Sequence, residues 1–316
     1  MMQIKSKTKK QIALHSMMLP GAVLLILFNV LPILGLWMAF SRYQPQYGMG
    51  YFEALFSADF VGLGFFRMVF SRPDFQRVLF NTLYISIVKL VLLIGLGVLT
   101  SLLLNEIPYL RLKKAIQVIV FIPYFLSWVI LASVMMDLLS LSGPINRLIE
   151  ACGGEAVSFL GSNTWFPVVL FVSELWKSLG YEAIYFLAAI TAVAPGLYEA
   201  AQIDGANRVQ QCLHVTLPCI RPIIILMVVL NIGNIMNAGF EQVLSLYNSA
   251  VYQSGDIIDT MAYRIAFGDG KSGSGGGGIY SYSISTAVSF FKSVICCIMF
   301  GASYLFAAKK LDYEVL

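Results

Sequence analysis

Long apolar runs separated by short polar segments set the pattern of this chain. A helix rises 1.5 Å per residue, so a bilayer core about 30 Å thick takes roughly 20 apolar residues to cross. Six stretches reach that length, at about 17–40, 82–104, 115–139, 165–193, 223–246 and 284–307. The pattern predicts an all-α, polytopic membrane protein with six transmembrane helices. Residues 47–70 mix apolar and polar positions and predict an amphipathic helix lying in the membrane interface. No repeat of 20–50 residues is visible.

Composition agrees. Of 316 residues, 58% are hydrophobic and 12% charged, against about 25% charged in a soluble domain, and the mean hydropathy is +0.78. A surface of this size cannot be covered with so few charges, which excludes a soluble enzyme, a disordered chain and a nucleic-acid binder. The lysines before the first run resemble a signal peptide. That run is longer than a signal core and no small-x-small cleavage site follows, so it is read as a retained helix.

The charge clusters at the ends of the runs set an expected orientation. Lys5, Lys7, Lys9 and Lys10 precede the first run, Arg111, Lys113 and Lys114 lie between the second and third, and Lys309 and Lys310 follow the sixth. Positive residues stay on the cytoplasmic side, and an even number of spans places both termini there. Arg42, Arg67, Arg72 and Arg77 go against this trend, in an outside loop long enough for the rule to weaken. The linear division expected is a cytoplasmic N-terminus (1–16), a first helix with a long outside loop (17–78), a core of five helices (79–308) that holds a cytoplasmic loop at 195–221, and a cytoplasmic C-terminus (309–316).

Chemistry-bearing motifs are scarce. Five cysteines without metal-type spacing and two histidines, His15 and His214, assemble no metal centre and no nucleophile–base set, so no catalytic residue and no metal ligand is assigned. Residues 268–278 (GDGKSGSGGGG) echo a phosphate-binding loop only superficially. Ile265 stands where the first glycine belongs, and the tract reads as a flexible spacer.

Polar residues inside the spans carry more information, because ionisable groups there face the bundle interior or a water-filled path. At 100° per residue, Glu174, Lys177, Ser178, Tyr181 and Tyr185 share one face of the fourth span. Asn231, Asn234, Glu241, Gln242 and Ser245 share a face of the fifth, and Tyr282, Ser285, Thr286, Ser289, Lys292 and Ser293 a face of the sixth. Thr82, Ser86 and Lys89 form a weaker stripe on the second. Such amide, hydroxyl and aromatic groups suit a neutral, hydroxyl-rich solute. Taken singly, each is equally served by helix-to-helix hydrogen bonding, and Glu174 with Lys177 has the spacing of an i,i+3 ion pair. The candidate path residues are Glu174, Tyr181, Tyr185, Asn231, Asn234, Glu241, Gln242 and Ser289.

The loop between the fourth and fifth spans reads as a short helix, a glycine break at Gly205 and a second helical stretch that Pro218 stops. Its Glu199, Ala200, Ala201, Gly205, Val215, Leu217 and Pro218 match the EAA-x3-G-x9-[IV]-x-LP pattern. On this motif the chain resembles the permease subunits of bacterial binding-protein-dependent ATP-binding-cassette importers. The longer run YEAAQIDGANR…HVTLPCIRP is similar to the carbohydrate branch related to maltose and alginate permeases. Further matches cover most of the chain, among them Leu104-Asn105-Glu106-Ile107, Phe121-Ile122-Pro123-Tyr124 and Gly239-Phe240-Glu241-Gln242. Cys212, Val209 and the long glycine tract depart from the pattern.

The resemblance implies a type I importer permease fold, a bacterial inner-membrane location and no enzymatic activity in this chain. It implies that Glu199, Ala200, Ala201, Asp204, Gly205, Ala206, Leu217 and Pro218 dock on a cytoplasmic ATPase. Two copies of that ATPase would use ATP and Mg, while this chain binds no cofactor. A second homologous permease would complete a heterodimer, and an extracytoplasmic solute-binding protein would deliver an oligo- or polysaccharide. The alternative class is a stand-alone ion-coupled secondary sugar carrier, which needs internal repeats and leaves the loop motif unexplained.

Overall fold

The structure is a computed structural model describing residues 15–45, 47–268 and 280–310. The glycine tract beyond Gly268 and the lysines at positions 5–10 lie outside the described residues. In chain order the helices are α1 (His15–Phe40), α2 (Tyr51–Phe56), α3 (Gly64–Phe70), α4 (Phe75–Asn105), α5 (Leu110–Phe121), α6 (Trp128–Leu139) and α7 (Pro144–Ala151). They continue with α8 (Trp165–Thr191), α9 (Pro195–Ile203), α10 (Arg208–Gly233), α11 (Phe240–Leu246), α12 (Tyr252–Gly255), α13 (Ile258–Phe267) and α14 (Ser281–Lys310). The extended segments contribute one isolated bridge, between Ser41 and Phe60.

Among the described residues, five segments are long and apolar enough to cross a membrane: α1, α4, α6 with α7, α10 and α14. The pair α8 and α9, bent by 70°, makes a sixth. The segment expected at 47–70 is two short helices, α2 and α3.

Two expected spans are broken. The third run is α5, a 3-10 turn at Ile122–Phe125 and then α6. Pro123 lacks the N–H that would continue the helix, Leu126 is extended, and Ser127 restarts the chain by accepting the Ile130 N–H at 3.3 Å. The fifth run ends at Gly233, passes through left-handed Ala238 (φ 46) and Gly239 (φ 81), and resumes as α11. A hydrophobicity window sees neither break, because the residues remain apolar. Pro218, expected to stop the loop helix, instead lies inside α10. A wide turn at Cys212–Thr216, in which the Leu217 N–H bonds the Cys212 carbonyl, precedes it, so the proline's missing donor falls where the helix is already opened.

The chain forms two compact units whose borders fall inside α13 and α14. One holds the described residues up to Arg72 and those of Ala262–Phe291. Its core is Ala39, Phe65, Phe66 and Ala287, with Phe40 and Phe66 edge-on to Phe290 at 5.5 and 5.9 Å. Ser283 ties the chain after α1 by accepting the Tyr43 N–H at 3.0 Å and donating to the Ser41 carbonyl at 2.7 Å.

The other unit holds Pro73–Met261 and the described residues from Lys292. Helices α4 and α8 run side by side in the same direction. Lys89 meets Glu174, and two turns further on Gly97 lies against Glu182 and Phe186. Ile85, Phe166, Leu170, Val243, Leu246 and Ile257 fill the core beside them. Two polar residues of α4 hold the segment after α11: Asn81 donates to the Gln253 and Asp256 carbonyls at 3.0 and 3.2 Å, and Thr82 accepts the Ile258 N–H at 2.9 Å. Lys292 on α14 bonds both oxygens of Asp259 on α13, at 2.8 and 2.6 Å.

The approach of α5 to α8 depends on Gly180. A Cβ there would fall on the Val120 carbonyl and stand 2.9 Å from the Phe121 Cα, and neither backbone group can turn aside. Overpacking of this kind costs about 1–3 kcal/mol. Gly180→Val is therefore expected to lower the unfolding midpoint of the detergent-solubilised protein by several degrees in a thermal-shift assay, whereas Gly95→Val, with nothing within 4 Å of its Cβ position, leaves it unchanged.

Candidate functional site

The motif loop is built to hold one short helix outward. α9 ends in a paired backbone lock: the Ala206 N–H bonds the Ala201 carbonyl at 2.9 Å and the Gly205 N–H bonds the Gln202 carbonyl at 3.1 Å. This closure needs a left-handed residue at its centre, and Gly205 has φ 81. Asn207 and Gln210 then cap the start of α10 reciprocally at 2.8 and 2.9 Å. Tyr198 reaches back to Thr216 on α10 at 3.0 Å, so α9 is braced against the span that follows it.

The outward face carries Leu197, Glu199, Ala200, Ile203 and Asp204, all exposed, with Ile203 at 87%. Ala201, Ala206 and Leu217 are half-buried, and Pro218 is exposed. A groove of about 460 Å³ beside the loop is lined by Leu99, Leu103, Glu106, Tyr198, Gln202 and Leu213 among others. Arg208 pairs with Glu106 across it at 3.6 Å. Both partners are largely exposed, so the pair contributes little stability.

The expected interior stripes converge only in part. A pocket of about 160 Å³ is lined by Ser86, Lys89, Glu174, Asn231, Asn234, Asn237 and Gly239, among others. It opens where the fifth span breaks. The Lys89 ammonium makes the break: it donates to the Ala238 carbonyl at 2.9 Å, hydrogen-bonds the Gln242 Oε1 and pairs with Glu174 at 3.4 Å. A Cβ on Gly239 would stand 2.5 Å from that ammonium, so the glycine provides both the positive φ and the room.

The i,i+3 spacing of Glu174 and Lys177, which allowed an ion pair, is not used for one. Lys177 turns to the other break, where it hydrogen-bonds the Tyr124 carbonyl at 2.9 Å and the Leu126 carbonyl. Carbonyls left free where the helix ends and the chain turns extended at Leu126 are the better partners, and Glu174 has Lys89 and Ser178 (2.7 Å). Gln242, a candidate path residue, is fully buried and donates to the Leu170 carbonyl and to Ser173 Oγ, both at 2.8 Å. It knits α11 to α8. Glu241 is exposed at the start of α11, away from the pocket lining, and Ser289 is exposed on the stretch of α14 in the other compact unit.

Tyr181 and Tyr185 lie in an aromatic cluster. Tyr181 stacks on Tyr124 with ring centres 4.1 Å apart and planes 2° apart, and the two α8 tyrosine hydroxyls are hydrogen-bonded. Lys177 sits 5.5 Å from both the Tyr124 and the Trp128 ring centres. Sequence reasoning missed Glu182, whose Oε2, like Ser86 Oγ, is a buried atom without a hydrogen-bond partner among the described residues. Its charge inside a span was a visible signal, but its angle placed it off the stripe.

The sequence matches the family of binding-protein-dependent transport system inner membrane components over residues 93–310. The chain belongs to that family. It is 37% identical over 96% of its length to protein LplB of Bacillus subtilis, covering 90% of that protein. It is also 37% identical, over 93% of its length and 87% of the relative, to the B. subtilis polygalacturonan/rhamnogalacturonan transport system permease protein YteP. Its fold matches a chain of a bacterial ABC transporter involved in the import of the acidic polysaccharide alginate, with a TM-score of 0.83 and 31% identity, covering 98% of this chain and 99% of that one. A chain of a bacterial alginate ABC transporter in complex with an alginate pentasaccharide-bound periplasmic protein matches with a TM-score of 0.82 at 32% identity, covering 96% of each chain. The chain is a multi-pass permease subunit of an ATP-binding-cassette importer, in a group of sugar permeases, and not an enzyme.

Removing one partner of a buried ion pair leaves an uncompensated charge and costs about 3–5 kcal/mol, whereas replacing both with apolar residues is close to neutral. Lys89→Met in this permease is therefore expected to be strongly destabilised in detergent by thermal shift, and Lys89→Met/Glu174→Leu to recover most of the loss. A double variant as unstable as the single one would show that Lys89 acts through the Ala238 carbonyl alone.

Proposed function

We propose that this chain forms one half of a sugar translocation path and takes its drive from a separate cytoplasmic ATPase through α9. The observation that carries the reading is the construction of the motif loop. A helix with an exposed face of small, acidic and apolar side chains is closed at one end by Gly205 and braced at the other to the fifth span through Tyr198. Such a helix moves as a rigid body with its span, so a displacement imposed on it reaches the membrane core undamped. Glu199 makes the polar contact in the ATPase cleft, Ala200 and Ala201 allow close approach, and Gly205 sets the turn.

In this reading a second, homologous permease faces this one, two ATPase copies bind ATP and Mg below, and an extracytoplasmic binding protein presents an oligo- or polysaccharide from outside. ATP binding and the loaded binding protein each favour one conformation of the pair, and their differential affinity drives the cycle. Asn231, Asn234 and Glu174 supply the interior contacts for sugar hydroxyls. The binding-protein complex of the alginate transporter and the sugar permeases among the relatives support the carbohydrate class.

The test is uptake together with co-purification from the native host. Gly205→Asp and Glu199→Lys are expected to reduce uptake to a few per cent and to lose the ATPase from the purified assembly, while the chain remains membrane-inserted at normal level. A left-handed non-glycine residue adds about 1–2 kcal/mol of backbone strain, too little to unfold the whole protein. Normal uptake in both variants would remove the docking role. Asn234→Ala is expected to reduce uptake several-fold with the ATPase still bound.

A further inference from the structure

The interior pocket has an unusual electrostatic balance. Its lining holds one cation and one anion, Lys89 and Glu174, and each is already engaged. An ammonium has three N–H donors. Those of Lys89 go to the Ala238 carbonyl, the Gln242 side chain and Glu174. Glu174 uses Oε2 for Lys89 and accepts from Ser178 with Oε1. The pair therefore contributes no net charge to the wall and offers no spare donor to an incoming carboxylate.

What the wall does offer is neutral and two-signed. Ser86 contributes to the lining, but its Oγ is buried, without a hydrogen-bond partner among the described residues, and does not face the open space. Asn231 spends its amide N–H on the Met227 carbonyl at 2.9 Å, and Asn237 donates to Asn234 Oδ1 at 3.3 Å. The second N–H of Asn231 and of Asn237, the Asn234 amide N–H groups and the amide oxygens are thus left in the pocket wall. Sugar hydroxyls both donate and accept and can use all of them. A carboxylate only accepts, so it can use the amide N–H groups alone; it finds no uncompensated cation, and it meets amide oxygens and Glu174 at short range. Moving it out of water into such a site is strongly unfavourable.

Resting on the proposed sugar path, we infer that Lys89 and Glu174 make this pocket selective for an uncharged sugar unit and against a uronate. The volume of about 160 Å³ is below the roughly 300–1,000 Å³ of pockets that enclose a drug-sized ligand, so the site handles one ring of a longer chain. The acidic polysaccharides named for the relatives make the inference a discriminating one. It places this permease with neutral saccharides, or with the neutral units of a mixed polymer.

The experiment uses the complete importer complex in nanodiscs without the binding protein, so that the permease alone selects. Methyl glycosides of glucose, galactose and mannose are each paired with the matching uronate, and binding is measured by saturation-transfer NMR titration. The neutral member of at least one pair is expected to bind at least tenfold more tightly than its uronate. Glu174→Gln leaves Lys89 uncompensated and is expected to shift that ratio by about tenfold toward the uronate. Asn234→Ala, which keeps the ion pair, is expected to weaken the neutral glycoside by about tenfold. Uronates binding as tightly as their neutral partners in the wild type would overturn the selectivity and leave the sugar path standing. If no glycoside binds, the sugar path falls and the selectivity with it.

Discussion

A broken helix inside a membrane frees backbone carbonyls where no water can reach them, and each needs a donor from the protein. In this chain two lysines near the middle of α8 and α4 provide it. Lys177 serves the break around Pro123, through the Tyr124 and Leu126 carbonyls, and Lys89 serves the break at Ala238. Both breaks lie beside the parallel pair α4 and α8, which forms the rigid centre of the larger unit. The cost of placing a charge in a span is offset by the backbone groups it satisfies, and Glu174 compensates the charge of Lys89.

The break in the fifth span opens the polar pocket. An unbroken fifth span would bury Asn234 and Asn237 against a neighbour or turn them to lipid. The left-handed step at Ala238 and Gly239 lets the chain part from α4 and leaves a polar space. The same lysine that stabilises the step uses up its donors in doing so, so the wall of the pocket is polar but electrically neutral. In the proposed reading, stability of the break and selectivity of the site depend on one set of contacts.

At the other end of the same span, α10 runs without a stop from the Asn207 cap to Gly233. The wide turn at Cys212–Thr216 absorbs Pro218 and keeps the loop helix α9 mechanically joined to the pocket. In the proposed coupling, a force on Glu199 passes through Tyr198 and Thr216 to the helix that carries Asn231.

The sequence by itself determined the class of the molecule: 12% charged residues and six long apolar runs admit only a polytopic helical membrane protein. The EAA-type loop was equally legible, because a Schellman closure at Gly205 and a cap at Asn207 are local events specified by neighbouring residues. The interior site was half legible. Helical periodicity singled out Glu174, Asn231 and Asn234, which line the pocket, but it also selected Gln242, which is spent on packing, and it joined Glu174 to Lys177. Periodicity assumes an unbroken helix and knows only neighbours on that helix. The partner of Glu174 stands 85 positions away on α4, and the break that opens the pocket is held by a lysine 149 residues distant from Ala238. Which carbonyl a buried ammonium satisfies depends on how the helices pack, so the tertiary structure alone decided it.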